Sequence, residues 1–208
     1  MRQTMPPSTT TRPVFVLLLS VVLSLALLGT CSVVGHDETA SDVDPLLLDQ
    51  LREGHTVLLF RHAVTDRSAS DLDPTARGTC EQQRNLSADG IEQAHHIGLR
   101  LRALDIPIGR TFASPFCRTV DTAEAMTGEA TTTEAFLSLT AALDAAGAEA
   151  ITEAGRALIA EQLQSPDVTV VVTHTQNIEA LAGVTVEEGD AAVVDASGLV
   201  GVVRADEW

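Results

Sequence analysis

The sequence predicts an α/β fold: a three-layer αβα sandwich in which helices cover both faces of a mostly parallel sheet. Two continuous apolar runs, residues 56–60 and 168–173, are rich in branched side chains, as expected of strands buried on both faces. Between them, apolar residues recur every three or four positions, which is the spacing of amphipathic helices. Strands and helices that alternate in this way along one chain are typical of a parallel sheet.

Turn and capping residues divide the chain into its elements. Ser87 is a suitable N-cap for a helix that ends before Pro107, and Gly54 and Gly128 end two further helices. The polar residues 64–85 are expected to form a long loop, which is often a functional feature in a compact domain. The predicted helices cover residues 45–53, 88–104, 117–126, 148–163 and 177–181. The predicted strands cover residues 56–60, 110–113, 168–173, 191–195 and 199–204, with a weaker candidate at 131–139.

The charge balance excludes one class of partner. The chain has 29 acidic and 13 basic residues, every basic one is arginine, and the formal net charge is -16. Nucleic-acid binding needs clustered cations that neutralise phosphates, so no nucleic-acid partner is expected. An acidic protein that binds a small anion must instead build a local cationic pocket, which makes arginines within motifs informative.

The N-terminal residues have the pattern of a targeting segment. A polar stretch with Arg2 and Arg12 precedes an apolar run at 14–28, which is shorter than the roughly 20 residues of a membrane-spanning helix. This length and these flanks are typical of a signal-peptide core. The end of the run resembles a bacterial lipoprotein signal in which Cys31 carries the lipid, although Thr30 stands where a smaller residue is usual.

Three outcomes for this segment are open: lipidation at Cys31, ordinary secretory cleavage nearby, or an uncleaved anchor. Each of them exports the domain. An extracytoplasmic location is therefore expected, with membrane attachment only through the N-terminal lipid or anchor. The chain is accordingly divided into a signal peptide at 1–31, a polar acidic tether at 32–50 and one domain at 51–208.

Arginine and histidine side chains follow the two buried apolar runs at the point where each run ends. Arg61 and His62 come directly after the first run, and His174 comes directly after the second. In open α/β sheets, ligands bind beyond the carboxyl ends of the strands. The sequence therefore predicts a site at this edge of the sheet that contains these three side chains.

Four segments in chain order resemble the histidine phosphatase (phosphoglycerate-mutase-like) superfamily. Residues 61–63 resemble its Arg-His-Gly signature, with Ala63 in place of the usual glycine. Residues 85–94 resemble its Leu-(Ser/Thr)-x-x-Gly-x-x-Gln-Ala helix, residues 114–123 its Ser-Pro-x-x-Arg helix start, and residues 171–174 the strand that carries the second histidine. Together the four segments cover the region 56–198 and are far more specific than any one of them.

The resemblance implies a phosphohydrolase that needs neither a metal ion nor a cofactor. His62 is then the nucleophile that forms a phosphohistidine, and His174 donates a hydrogen bond to the transferring group. Arg61 and Arg118 clamp the phosphate, because a guanidinium offers two parallel hydrogen bonds to phosphate oxygens. The further side chains expected to contact the substrate are Arg84 and Asn85.

Many members of the family also use a carboxylic acid to protonate the leaving group. The candidates for this proton donor are Asp66, Glu134 and Asp144. A further resemblance, to a bacterial exported subgroup with one cysteine before an Arg-Asn-Leu-Ser run and another before the motif arginine, implies a disulfide between Cys80 and Cys117. On the residues alone, these two cysteines are nearly as compatible with buried free thiols.

The predicted activity is hydrolysis of phosphomonoesters, with a phosphorylated small molecule or another phosphoester as the partner of the site. Two alternatives share the fold. One is a phosphomutase, which export disfavours because phosphorylated sugar acids of glycolysis are cytoplasmic. The other is a non-catalytic lipoprotein that only binds phosphorylated ligands.

Overall fold

The computed structural model describes residues 41–72, 79–142 and 144–208, which contain a mixed α/β domain. Its helices are α1 (Pro45–Glu53), α2 (Ala88–Ala103), α3 (Cys117–Thr127), α4 (Ala145–Gln162) and α5 (Thr175–Ala182). Its strands are β1 (Val57–Arg61), β2 (Ile108–Ala113), β3 (Thr131–Thr132), β4 (Val168–Thr173), β5 (Ala191–Asp195) and β6 (Gly198–Val203). Short 3-10 turns cover Cys80–Gln82, Glu134–Phe136 and Leu139–Ala141.

The six strands form one sheet in the order β3-β2-β4-β1-β5-β6. The first four strands in this order are parallel, and β5 and β6 are added as an antiparallel pair at one side. The register pairs Arg61 with Thr173 at the carboxyl ends of β1 and β4. The residues that follow these two strands, His62 and His174, therefore emerge beside each other.

Alternation of side chains along the strands divides the core between the two faces of the sheet. Leu58 and Phe60 of β1 pack in the cluster that contains the apolar faces of α1, α2 and α3. Val57 and Leu59 pack in the cluster that contains residues of α4 and α5. All positions of β4 are buried, as expected for a central strand with helices on both faces. The predicted three-layer αβα sandwich is confirmed.

The segment before β1 belongs to the domain rather than to a tether. Val43 and Leu51 are buried in the core cluster beneath α1, and Asp44 caps this helix by accepting hydrogen bonds from Leu46 and Leu47 N–H groups. The predicted tether boundary at residue 50 is therefore wrong, because the apolar face of α1 packs on the sheet. The predicted signal peptide with Cys31 and the first part of the tether lie outside the described residues.

The weaker strand predicted at 131–139 is confined to two residues. Thr131 and Thr132 pair with the end of β2, and the chain then turns into the 3-10 segments that bury Phe136. The Thr133 side chain accepts a hydrogen bond from the Ala135 N–H and so initiates the first of these turns. At the edge of a sheet few ladder hydrogen bonds compete with such a local turn, so the strand ends early.

The other predicted elements are confirmed, with boundaries shifted by a few residues. Ser87 caps α2 through a hydrogen bond from the Gly90 N–H, and Gly128 ends α3 in the left-handed conformation. The helix predicted at 148–163 begins earlier because Asp144 supplies the N-cap. Within the described part of the chain, no helix is long and apolar enough to cross a membrane.

Candidate active site

The predicted site residues meet at the carboxyl edge of the sheet. The rings of His62 and His174 lie 5.6 Å apart between centroids, and both side chains are almost completely buried. Arg61 lies at the end of β1 and Arg118 in the first turn of α3, and the positive charges of both act on the His62 ring. The N-terminus of α3 follows the end of β2 and so lies at this edge, where its partial positive charge favours an anion.

His62 is held in one tautomer. Its backbone N–H donates to the Thr173 carbonyl, and its Nδ1 lies 2.9 Å from the Ala63 carbonyl oxygen. Because a carbonyl can only accept, Nδ1 carries the proton and Nε2 keeps a free lone pair. Burial, together with the positive charges of Arg118 and Arg61, lowers the pKa of His62 to about 4, so the ring is neutral at neutral pH.

Ala63 occupies the position where the Arg-His-Gly signature of the histidine phosphatase superfamily has glycine, and the structure accommodates its side chain. Its side chain is fully buried in the main core cluster, and its N–H donates to the Thr122 hydroxyl over 3.0 Å. Thr122 in turn donates to the Arg118 carbonyl. The residue after the nucleophile candidate is thus tied directly to the helix that carries the second arginine.

His174 is fixed by a hydroxyl group and an aromatic ring. Its Nε2 lies 3.0 Å from the Ser114 hydroxyl, and the Phe116 ring packs edge-on against it at 5.1 Å between centroids. Burial and the neighbouring His62 hold the pKa of His174 well below its ordinary value. The ring is therefore neutral and can donate a hydrogen bond from one nitrogen to a bound oxyanion.

Arg61 is oriented by the turn that leads into β5. Its Nη1 donates to the Val186 carbonyl over 3.0 Å. The carboxylates of Glu187 and Glu188 lie 3.6 and 3.8 Å from its terminal nitrogens. The side chain of Glu187 is exposed, whereas that of Glu188 is buried.

Arg118 is oriented by the loop between β1 and α2. Its Nη1 lies 3.0 Å from the Asp71 carboxylate and 3.3 Å from the Arg84 carbonyl, and its guanidinium stacks 4.5 Å from the centre of the Phe116 ring. Its Nε is buried and has no hydrogen-bond partner among the described residues. A buried donor without a partner is costly, and a bound oxyanion would satisfy it.

The disulfide implied by the family resemblance is present in the structure and fastens this loop to α3. Cys80 is bonded to Cys117, the residue directly before Arg118. The Cys117 N–H donates to the Gln83 side chain, and the Asn85 side chain donates to the Cys80 carbonyl. The loop is therefore connected to the start of α3 by one covalent bond and by hydrogen bonds.

Arg84 and Asn85, the two residues of this loop that are predicted to contact the substrate, each keep a polar side-chain atom without a partner in the described part of the chain. Arg84 has a buried Nε, and Asn85 a buried Oδ1, that lack partners among the described residues. The positive charge of Arg84 contributes to the low pKa of His174, after burial, His62, Arg118 and Arg61. The Arg84 carbonyl lies 3.3 Å from Arg118 Nη1, so this residue adjoins the second arginine of the site, and both substrate contacts stay predictions.

The three predicted proton donors are placed in three different segments. Asp66 is exposed and accepts hydrogen bonds from the N–H and hydroxyl of Ser68. Asp144 is exposed and caps α4, and Glu134 is an exposed residue at the start of a 3-10 turn. Their role in protonation stays a prediction. No cluster of three or more metal-binding side chains is present within the ranges that the structure describes.

Sequence reasoning missed Glu188, the buried acid of the site. This residue lies in a turn without periodicity or a recognisable motif. One signal was available: β5 pairs antiparallel with β1, so the residues that precede β5 must lie beside the end of β1. That signal depends on knowing the direction in which the two strands pair.

Comparison with known proteins agrees with this geometry. The family model described as histidine phosphatase superfamily (branch 1) matches residues 57–139, which include Arg61, His62 and Arg118. Over these residues the chain is similar to the histidine phosphatase superfamily. No curated protein matches the chain in sequence.

Solved structures show the same fold at low sequence identity. Two structures of the protein TTHB049 from Thermus thermophilus have TM-scores of 0.51 and 0.50, with 20% identity over 72% of this chain and 99% of that one. The protein histidine phosphatase SixA, in a complex with tungstate, has a TM-score of 0.50 with 17% identity over 72% of this chain and 97% of that one.

Proposed function

We propose that this protein is a member of the histidine phosphatase superfamily and hydrolyses phosphomonoesters through a phosphohistidine on His62. The observation that carries the proposal is the state of this ring: neutral, with its proton on Nδ1 and the Nε2 lone pair free, in a pocket with two arginines. A neutral imidazole with a fixed lone pair is the form that can attack phosphorus.

The cations of the pocket suit a phosphoryl group. Catalysis of phosphoryl transfer depends mainly on positioning and on stabilising charge at the equatorial oxygens. Arg61, Arg118 and Arg84 supply that charge, and the unpartnered Nε groups of Arg118 and Arg84 leave donors for oxyanion contacts. Tungstate, which is bound to the similarly folded phosphatase SixA, is a tetrahedral oxyanion like phosphate.

The test is release of phosphate from p-nitrophenyl phosphate by the purified protein, with and without a chelator. We expect turnover that survives the chelator and that falls by at least about 10³-fold in His62→Ala, because the nucleophile is lost. His95→Ala, which changes an exposed histidine of α2, is the matched control and keeps full activity. A phosphoryl group on His62, detected by mass spectrometry under alkaline conditions, identifies the intermediate.

Two results would contradict hydrolysis. Absence of turnover together with tight binding of inorganic phosphate would indicate the non-catalytic binding protein. Transfer of the phosphoryl group between two positions of a phosphorylated sugar acid, without net release of phosphate, would indicate a mutase. A panel of phosphorylated sugars, lipids and peptides then defines the substrate class.

We further propose that the domain acts outside the cytoplasm, attached through a lipid on Cys31. The support is the signal-like pattern at 1–31 together with the Cys80–Cys117 disulfide, a bond that persists in oxidising compartments. Fractionation of cells that express the full chain tests this. We expect to find the protein in the membrane fraction. Mass spectrometry should detect a lipid on the parent protein and none on the Cys31→Ala variant. Recovery of the reduced protein in the cytoplasm would contradict export.

A further inference from the structure

Glu188 is the buried acidic residue of the site, and no motif identifies it. Its side chain is 6% exposed, in a chain that places its other carboxylates in more exposed positions throughout the described ranges. Burying a carboxylate is costly unless its charge is compensated by partners. The partners of Glu188 therefore indicate why the fold tolerates it here.

Both oxygens of the carboxylate have partners. The Thr65 hydroxyl donates to Oε1 over 2.7 Å, and Arg67 donates to Oε2 over 3.1 Å. Arg61 lies 3.8 Å from Oε1 on the inner side. The Glu188 carboxylate is therefore fixed in one orientation between the pocket arginine and an arginine at the surface.

The backbone around Glu188 is fastened to the nucleophile candidate. The Gly189 N–H lies 3.3 Å from the Arg61 carbonyl and 3.2 Å from the His62 carbonyl, and the Glu188 carbonyl accepts from the Gln93 side chain. Gly189 has φ +90°, and a Cβ atom there would lie 2.6 Å from Gln93. The turn is thus closely packed, and its position relative to His62 is set by several contacts.

Glu188 and His62 interact electrostatically. Burial by itself raises the pKa of the Glu188 carboxyl, but the hydrogen bond from Thr65, the interaction with His62 and the charge of Arg61 outweigh it, so the pKa lies below its ordinary value. In return, Glu188 raises the pKa of His62, against burial and the two arginines. A permanent negative charge therefore acts on the ring at neutral pH.

We propose that Glu188 is a positioning residue whose charge stabilises the His62 ring when it becomes cationic in the phosphoenzyme. This inference rests on the proposed function. The Nε2 lone pair forms the N–P bond while the P–O bond to the leaving group breaks, and the electron pair stays on the leaving oxygen, which takes a proton from solvent. The ring keeps its Nδ1 proton and so gains a positive charge. The backbone of His62 is hydrogen-bonded to Gly189, the residue directly after Glu188. Water then attacks phosphorus, the N–P electron pair returns to the ring, and the water releases a proton.

The same charge has the opposite effect on substrate binding. A carboxylate near the pocket repels the phosphate dianion in the ground state, and it favours the state in which His62 is positive. Removal of the charge should therefore lower kcat without raising KM. A carboxylate that only held Arg61 in place would, on removal, raise KM as well, because the clamp would loosen.

The experiment compares Glu188→Gln with Glu161→Gln, which neutralises an exposed carboxylate that faces Arg110 instead. We expect kcat of Glu188→Gln to fall about 10- to 100-fold with KM equal or lower, the size expected for one charge acting over several ångströms in a partly buried site. Glu161→Gln keeps wild-type kinetics, and the melting temperatures of both variants stay close to that of the parent.

A second measurement does not depend on turnover. The charged and titratable groups that act on the His62 ring are Arg61, Arg118, His174 and Glu188. NMR titration of the histidine rings in the full chain should show a lower pKa for His62 in Glu188→Gln than in the parent. If Glu188→Gln does not fold, Thr65→Val, which removes one anchor of the carboxylate, should give the same shift on a smaller scale.

The inference is overturned if kcat of Glu188→Gln stays within twofold of the parent, if KM rises together with a fall in kcat, or if the His62 pKa does not move. Failure of the proposed function looks different: the parent protein then shows no turnover, while the NMR titration still decides whether Glu188 acts on His62.

Discussion

The two arginines of the candidate site are held by different means. On the β1 side, Arg61 contacts a turn whose backbone is hydrogen-bonded to the end of a central strand. On the α3 side, Arg118 contacts Asp71 and Arg84, which belong to a long loop. One half of the proposed phosphate clamp thus depends on the sheet, and the other depends on a loop that is fastened by a disulfide.

This difference has a consequence for stability. Contacts within the central sheet are lost only when the domain unfolds, whereas a surface loop can open locally at a lower free energy. The Cys80–Cys117 bond limits such opening at the residue before Arg118. Redox conditions can therefore change how firmly Arg118 is held on the α3 side. They leave the contacts of Arg61 on the β1 side intact.

The largest effect is expected from removing either half of the clamp. Arg61→Ala and Arg118→Ala should each lower kcat/KM by about 10²- to 10³-fold, because each removes charge from the transferring phosphoryl group. Arg156→Ala, at a half-exposed ion pair on α4, is the control and should change kcat/KM less than twofold. A much smaller loss in one of the two clamp variants would show that the clamp is one-sided.

The next largest effect is expected from removing the disulfide, which belongs to the α3 side alone. Changing both Cys80 and Cys117 to Ser should lower the free energy of unfolding by about 3–4 kcal/mol, since the bond closes a loop with a sequence separation of 37. KM should rise because Arg118 is held less firmly, and the pKa of His62 should rise slightly, because the charge of Arg118 is one of the causes that lower it. Denaturant unfolding, steady-state kinetics and NMR titration measure the three quantities. A KM equal to that of the parent would show that the disulfide does not position Arg118.

The pH dependence concerns the β1 side. Because the pKa of His62 is lowered to about 4, the ring stays unprotonated and nucleophilic from neutral pH down to about pH 5. The acid limb of kcat/KM should therefore lie near pH 4 and not near the ordinary imidazole value of about 6.5. An acid limb near 6.5 in the free enzyme would show that the ring is more exposed to water than the structure indicates.

The same shift affects stability with a defined sign. Between about pH 6.5 and 4, an unfolded chain binds a proton at this histidine that the folded chain does not bind. The free energy of unfolding should therefore fall as the pH falls through this window. His62→Ala should show a weaker dependence in the same window, and an unchanged dependence would contradict the shift.

The smallest effect is expected at Asp71, on the α3 side. Its carboxylate competes with a bound phosphate for Nη1 of Arg118, and it also accepts from the Arg84 N–H. Asp71→Asn keeps the size of the side chain but removes its charge. KM should therefore fall about two- to fivefold with kcat nearly unchanged. A higher KM would show that Asp71 mainly orients Arg118.

Much of the fold was predictable because its signals are local. Ser87, Gly54 and Gly128 mark the ends of helices by their own chemistry, and the apolar runs of β1 and β4 mark the central strands. The family motifs identified Arg61, His62, Arg118 and His174 for the same reason, since each lies at a fixed place within a short segment. The strand predicted at 131–139 failed because edge pairing and turn formation are decided by neighbours that the local pattern does not contain.

Taken alone, the sequence determined the layered fold, the resemblance to a family, and the edge of the sheet at which the histidines emerge. Those features follow from periodicity and from short motifs, which act within a few residues. Only the tertiary structure decided which acids face the arginines. Glu188 meets Thr65 across 123 residues and Asp71 meets Arg118 across 47, and such contacts depend on strand order and loop path. No local pattern encodes these contacts, so the electrostatics of the pocket could be derived only from the folded structure.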